Sequence, residues 1–283
     1  MENCRIIARL DIKGPNLVKG IHLEGLRVLG KPEDFAKYYY ENGADELFYQ
    51  DVVASLYERN SLHDIISTTA KKSFIPLTVG GGIRTIQDIR EVLRAGADKV
   101  CINTAAIRNP KFISEAALKF GSSTIVVAIE AIKQPGGQYL AFVDNGREFT
   151  GVEVLAWARK VEELGAGEIV ITSVDREGTG EGYDIELTKM VATSVTIPVI
   201  AHGGPGDLPH FADVCKNAKA DALAVASVIH YDFIANRRSD MANKTEGNIS
   251  FLKSGRTSFG KINPFSLKDI KNSLIAQGIQ CRP

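Results

Sequence analysis

The feature that most constrains this chain is an alternation repeated eight times. Short β-rich runs occupy residues 5–11, 46–51, 75–79, 99–103, 124–130, 168–173, 198–202 and 222–226. Between them lie stretches such as 85–95 and 151–164, in which apolar residues recur at helical spacing. Strands that alternate with helices pair in parallel, and eight such units favour closure into a barrel over an open, doubly wound sheet. The expected fold is α/β, a (β/α)8 TIM barrel.

The two halves of the chain also match each other. Val79-Gly80-Gly81-Gly82-Ile83-Arg84, Ala97-Asp98 and Ile102-Asn103-Thr104-Ala105 align with Ala201-His202-Gly203-Gly204-Pro205-Gly206, Ala220-Asp221 and Val225-Ala226-Ser227-Val228 at an offset of 122 to 123 residues. Asp11 falls opposite Glu130 at a similar offset. This is the pattern of a duplicated four-unit half-barrel, and it implies two equivalent ligand sites on opposite sides of one mouth.

The repeated glycines point to what those sites bind. A glycine run at a strand end lets backbone N–H groups approach an anion, and the helix that follows adds its partly positive N-terminus. Gly80, Gly81 and Gly82 do this after the third strand, with Asn103 and Thr104 as side-chain donors after the fourth. Gly203, Gly204 and Gly206 follow the seventh strand, and Ala226 and Ser227 close the eighth, where barrels often hold phosphate. Taken singly, such glycines need only permit tight turns, but the shared spacing favours a substrate with a phosphate at each end.

Asp11 and Glu130 end their strands at the C-terminal face, where barrel enzymes place their chemistry, and two carboxyls in unlike surroundings can divide the roles of acid and base. Asp11 alone could serve as a helix cap or loop solvator, a reading that its pairing with Glu130 weakens. Lys19 stands ready to meet a polar or anionic group, and its loop, residues 13–32, carries four glycines and is long enough to act as a lid.

Charge narrows the partners. Lys plus Arg and Asp plus Glu each number 34 in 283 residues, so no global excess favours nucleic acid or an anionic membrane. The first residues lack a basic and apolar signal, and no apolar run nears the ~20 residues of a membrane span, so a cytoplasmic protein is expected. Cys4, Cys101, Cys215 and Cys281 show neither disulfide nor zinc spacing. The chain reads as one barrel over residues 1–283 with an extended C-terminal segment. Within it, an inserted loop is expected at about 240–262, followed by a capped amphipathic helix over 266–277.

Several ordered motifs now converge. Arg5-Ile6-Ile7-Ala8-Arg9-Leu10-Asp11, Val18-Lys19-Gly20, Val79 to Gly82, Ala97-Asp98-Lys99-Val100, Ile102 to Ala106, Gly165-Ala166-Gly167-Glu168 and Asp175-Arg176-Glu177-Gly178-Thr179 resemble the cyclase subunit of imidazole glycerol phosphate synthase, HisF, over about residues 4 to 232. The resemblance implies an acid–base pair of Asp11 and Glu130. It implies phosphate contacts at Gly82, Asn103 and Thr104 in one half and at Gly178, Gly204, Ala226 and Ser227 in the other. It further implies a HisH-like glutaminase docked on the N-terminal face, an ammonia gate of Arg5, Glu46, Lys99 and Glu168, and no metal or organic cofactor. The implied reaction adds ammonia to the ketone of an N-phosphoribulosyl aminoimidazole carboxamide nucleotide, closes the imidazole and releases the purine precursor.

Three residues depart from the family pattern. Glu130 and Glu177 stand where the family carries Asp, and His202 replaces a Ser. A longer side chain at 130 moves the carboxyl by about 1.5 Å, and misplacement by ~1 Å can cost on the order of a hundredfold in rate. Retained gate and cradles with an altered pair also resemble cyclase-like paralogues of bacterial surface-polysaccharide pathways. That branch supplies ammonia to a sugar amidotransferase, so both readings stay open at this point.

Overall fold

The structure is a computed structural model and describes residues 3–54, 62–236 and 260–282. The strands are β1 (Arg5–Lys13), β2 (Asn16–Ile21), β3 (Glu24–Gly30), β4 (Glu46–Asp51), β5 (Leu77–Gly80), β6 (Lys99–Ile102), β7 (Ile125–Lys133), β8 (Tyr139–Val143), β9 (Glu148–Glu153), β10 (Glu168–Ser173), β11 (Val199–His202) and β12 (Ala222–Val225). Eight of them, β1, β4, β5, β6, β7, β10, β11 and β12, pair in parallel in that order. Pairing of β12 with β1 and of β7 with β10 closes the barrel.

Period-two alternation sorts each barrel strand into an outer and an inner face. On β1, Ile6, Ala8, Leu10 and Ile12 face outward into an apolar layer shared with the helices. Ile7 faces inward with Phe48, Cys101, Val126, Val170 and Ile200, so the bore has an apolar waist. Full burial of an Ile or Leu side chain contributes about 1.5–3 kcal/mol, which makes the register costly to slip.

The helices are α1 (Pro32–Glu41), α2 (His63–Ala70), α3 (Ile86–Ala95), α4 (Thr104–Arg108), α5 (Lys111–Phe120), α6 (Val154–Glu163), α7 (Ile185–Ala192), α8 (Pro209–Ala218), α9 (Ser227–Asn236) and α10 (Leu267–Ala276). Local chemistry sets several boundaries. Thr85 and Asp88 form a reciprocal capping box at the start of α3, and Gly96 ends that helix in the left-handed region. Among the described residues no helix is long and apolar enough to cross a membrane.

Two expectations are corrected. Residues 13–32 form no irregular loop: β1 runs on to Lys13, and β2 and β3 add an antiparallel hairpin to it. The stretch 151–164 is not helical from its start, since β9 extends to Glu153 and α6 begins at Val154. An equivalent hairpin, β8–β9, extends β7 in the second half. Both hairpin tips place two non-glycine residues at positive φ, His22 and Leu23 at 52° and 62° and Asp144 and Asn145 at 52° and 62°, so the duplication extends to the turns.

The C-terminal segment returns beneath the barrel. The expected insertion falls almost wholly on residues 237–259, outside the described residues. Ser266 and Asp269 cap α10 as the sequence predicts, and its Leu267, Ile270 and Leu274 join the cluster that holds Phe35, Tyr39 and Phe211. Buried Lys271 donates to Asp45 Oδ1 at 2.8 Å and to the Arg282 carbonyl at 2.8 Å. Asp45 Oδ2 accepts the Ile6 N–H at 2.6 Å.

Removing one partner of a buried pair strands the other charge. Asp45→Ala is therefore expected to cost about 3–5 kcal/mol, read as a lowered urea midpoint with unchanged slope. A loss under ~1 kcal/mol would place this pair with weak surface bridges.

Candidate functional site

The inward positions of β1 read Arg5, Ile7, Arg9 and Asp11, one chemistry for each level of the bore. At the N-terminal mouth Arg5 pairs with Glu46 and, at 2.9 Å, with Glu168. Lys99 pairs with Glu46 at 3.2 Å and with Glu168 at 3.0 Å. Two cations and two anions thus form a closed ring in which each touches both opposite charges. Above the ring lies the apolar waist.

The upper level is a buried polar network. Arg9 Nε donates to Asp11 Oδ1 at 2.9 Å, and Arg9 Nη1 donates to His202 Nδ1 at 3.3 Å. A guanidinium only donates, so Nδ1 is the acceptor and the imidazole carries its proton on Nε2. The Thr172 hydroxyl lies 3.1 Å from the same nitrogen. Burial and then the Arg9 charge hold His202 well below the usual histidine range. Burial alone would raise Asp11, but Arg9 first and Lys19 next outweigh it and bring the carboxyl down to about 2.

Lys19 is already engaged. It pairs with Glu177 and stands 3.9 Å from Asp11 Oδ2. The other oxygen of Glu177 accepts the Leu23 N–H at 3.0 Å, and the Glu177 carbonyl accepts the His22 N–H at 2.9 Å. Asn145 Nδ2 donates to the Leu23 carbonyl at 3.0 Å. Glu177, 1% exposed, is therefore the clasp that holds the β2–β3 hairpin down across the mouth.

Glu130 occupies different surroundings. Its Oε2 accepts the Gly146 N–H at 2.7 Å, and burial, outweighing that bond and the Arg9 charge, pushes the carboxyl up to about 7. It lines a cavity of about 270 Å³ together with Arg9, Gly81, Gly82, Asn103 and Thr104. The first glycine cradle and Glu130 therefore share one open space. Gly81 has φ 99°, and a Cβ there would collide with the Asp51 carbonyl, so the turn requires glycine. Asn103 Oδ1 is buried with no protein partner.

The second cradle is assembled but covered. Gly204 follows β11, and buried Ala226 and Ser227 join β12 to α9. Gly178 has φ 73°, and a Cβ on it would meet the Gly20 carbonyl of β2 at 2.7 Å. Asn263 N–H donates to the Gly206 carbonyl at 2.8 Å from the other side. None of Asp11, Gly178, Gly204, Ala226 or Ser227 lines the open cavity. Among the described residues no group of three or more His, Cys, Asp or Glu is placed to hold a metal ion.

The structure gathers the four ring residues at one mouth and sets Gly82, Asn103 and Thr104 around one cavity, and at the centre of the upper level it places Arg9, which the sequence reading did not single out. The signal was available, because alternation from Arg5 through Ile7 to Asp11 places residue 9 inside the bore.

Comparison with known proteins identifies the family. A family model described as histidine biosynthesis protein matches residues 5–235. The chain is 58% identical over 211 residues to the imidazole glycerol phosphate synthase subunit HisF of Legionella pneumophila, covering 75% of this chain and 100% of that one. It is 46% identical over 231 residues to HisF of Alkaliphilus metalliredigens, covering 82% and 92%. HisF of Methanopyrus kandleri is 48% identical over 245 residues, covering 80% and 90%.

The raised Glu130 carboxyl makes a signed prediction about stability. Its protonated form suits the buried site, so its contribution is full below the unfolded value of 4.5 and is lost as pH rises through about 7. Glu130→Gln is expected to gain about 3 kcal/mol over the parent between pH 4 and pH 8, measured by urea denaturation at both. A difference that does not change with pH would refute the assignment.

Proposed function

The chain belongs to the histidine biosynthesis family, in its HisF group, and from that membership we propose that it is the cyclase subunit of an imidazole glycerol phosphate synthase-type glutamine amidotransferase. One observation carries the reading: a charged ring, an apolar waist and two carboxyls of opposed protonation lie in sequence along one bore. Ammonia released by a glutaminase on the N-terminal face parts the ring and crosses the waist as a small neutral molecule. It emerges beside Asp11 and Glu130.

The substrate is a bisphosphate aminoimidazole nucleotide. One phosphate sits on Gly82, Asn103 and Thr104, and the other on Gly178, Gly204, Ala226 and Ser227 once the hairpin lifts and Lys19 leaves Glu177 for the substrate. Asp11, ionised at neutral pH, takes the proton from the attacking nitrogen, and Glu130, which keeps its proton in about half of the molecules at pH 7, gives one to the carbonyl oxygen. Dehydration, imidazole closure and release of the purine precursor follow on the same pair. The chemistry calls on no metal or organic cofactor, and the chain reads as a cytoplasmic protein.

A second reading is favoured by the clasped hairpin, since Lys19 and the second cradle are occupied by the protein itself. In that reading the barrel passes ammonia on to a sugar amidotransferase and performs little cyclisation.

Purified protein given the nucleotide and excess ammonium separates the two. Turnover lost in Asp11→Asn and raised in Glu130→Asp establishes the cyclase. Expressed per unit of unprotonated ammonia, the rate should fall above about pH 7 as Glu130 loses its proton. No turnover from folded, phosphate-binding protein would move the assignment to ammonia delivery.

A further inference from the structure

Of the four inward side chains on β1, Arg5 belongs to the ring, Ile7 to the waist and Asp11 to the acid–base pair. Arg9 is given no part in that chemistry, yet it touches more of the upper level than any of them. It is 3% exposed. Its Nε holds Asp11 Oδ1 at 2.9 Å, its Nη1 holds His202 Nδ1 at 3.3 Å, and its guanidinium carbon stands 5.3 Å from the centre of the Phe48 ring. Thr172 fixes the imidazole in turn. The same side chain forms part of the wall of the cavity that contains Glu130.

These contacts fix a planar fork on several sides. The Phe48 face supports it, His202 receives one arm, and Asp11 receives another, a geometry that a lysine cannot reproduce. A buried ion pair kept only for stability is replaceable by packed apolar groups at little loss. This one is built from a catalytic-face carboxylate and reaches the reaction space.

We propose that Arg9 is the positioning residue of the acid–base pair, clamping the Asp11 carboxylate in one orientation and placing a fixed positive charge between Asp11 and the cavity of Glu130. The assignment rests on reading Asp11 and Glu130 as base and acid. Electrostatics support it, because the Arg9 charge favours the ionised form of both carboxyls. The other titratable groups around this guanidinium are Lys19 from β2, His202 from β11 and the Cys101 thiol from β6, which burial pushes up to about 12.

The test compares the parent with Arg9→Gln and Arg9→Lys, by carboxyl ¹³C NMR titration of the protein alone and by ammonium-dependent turnover of the nucleotide. In Arg9→Gln the Glu130 midpoint should rise above its parental value near 7, and Asp11, fully ionised at pH 4 in the parent, should be partly protonated there. Its kcat should fall roughly ten- to a hundredfold with KM within about twofold, as expected when a reacting group is displaced by ~1 Å. Arg9→Lys should restore both titrations but leave kcat down by about tenfold, because the charge returns without the fork. Unmoved titrations in Arg9→Gln, or parental kcat in either variant, would overturn the assignment. If Arg9→Gln does not fold, the kcat of Arg9→Lys decides. A parent without turnover contradicts the cyclase reading instead, and the titrations then still settle whether Arg9 governs the two carboxyls.

Discussion

A closed barrel leaves charged groups in its bore little bulk water, so each one must find a partner of opposite charge or a hydrogen-bonding group. That constraint organises everything above and below the apolar waist of this protein. At the lower mouth it produces a four-membered ring in which Arg5 and Lys99 share Glu46 and Glu168. At the upper level it couples Arg9 to Asp11 and Lys19 to Glu177. Glu130 takes the other route: burial, only partly offset by the Gly146 N–H, the Arg9 charge and the Asn103 side chain, raises its carboxyl to about 7. The division into a carboxylate and a carboxylic acid follows from where the cations stand.

The longer acidic side chains acquire a physical meaning in this light. Glu177 reaches both Lys19 and the Leu23 amide, so it ties the first-half hairpin to the turn after β10. Glu130 reaches the Gly146 amide in the turn of the second-half hairpin. Each hairpin is thus fastened by a glutamate, one beneath the covered cradle and one beside the open cavity. His202 fills the space beside Arg9 and accepts its hydrogen bond. The two halves share a backbone plan, and these three side chains make their mouths unequal.

The eight barrel strands were legible because each is a short apolar run with β-branched or aromatic residues, and the observed bounds differ from the expected ones by at most a few residues. Residues 46–51 and 168–173 agree throughout. The capped helix after Ser266 was legible for a similar reason, since Ser266 and Asp269 are spaced as a capping box. The hairpins were not. Gly20, Gly25 and Gly30 interrupt the alternation that marks a strand, and β2 and β3 form because β1 extends past the barrel and offers an edge to pair with. The left-handed tips are made by His22, Leu23, Asp144 and Asn145, of which His22 and Leu23 are not residues that announce such a turn. The residue types of the proposed acid–base pair are visible in the sequence, whereas the neighbours that set their titration, among them Arg9, Lys19 and Gly146, are brought beside them by the fold.

The central claim is that nitrogen delivered to the upper level of this bore becomes part of an imidazole formed on Asp11 and Glu130. Following ¹⁵N from labelled ammonium into products of the bisphosphate nucleotide tests it most directly. The account predicts one labelled nitrogen in the imidazole ring of the glycerol phosphate product and none in the released purine precursor. Label confined to ammonium while the nucleotide is consumed, or found only in the purine precursor, would contradict it.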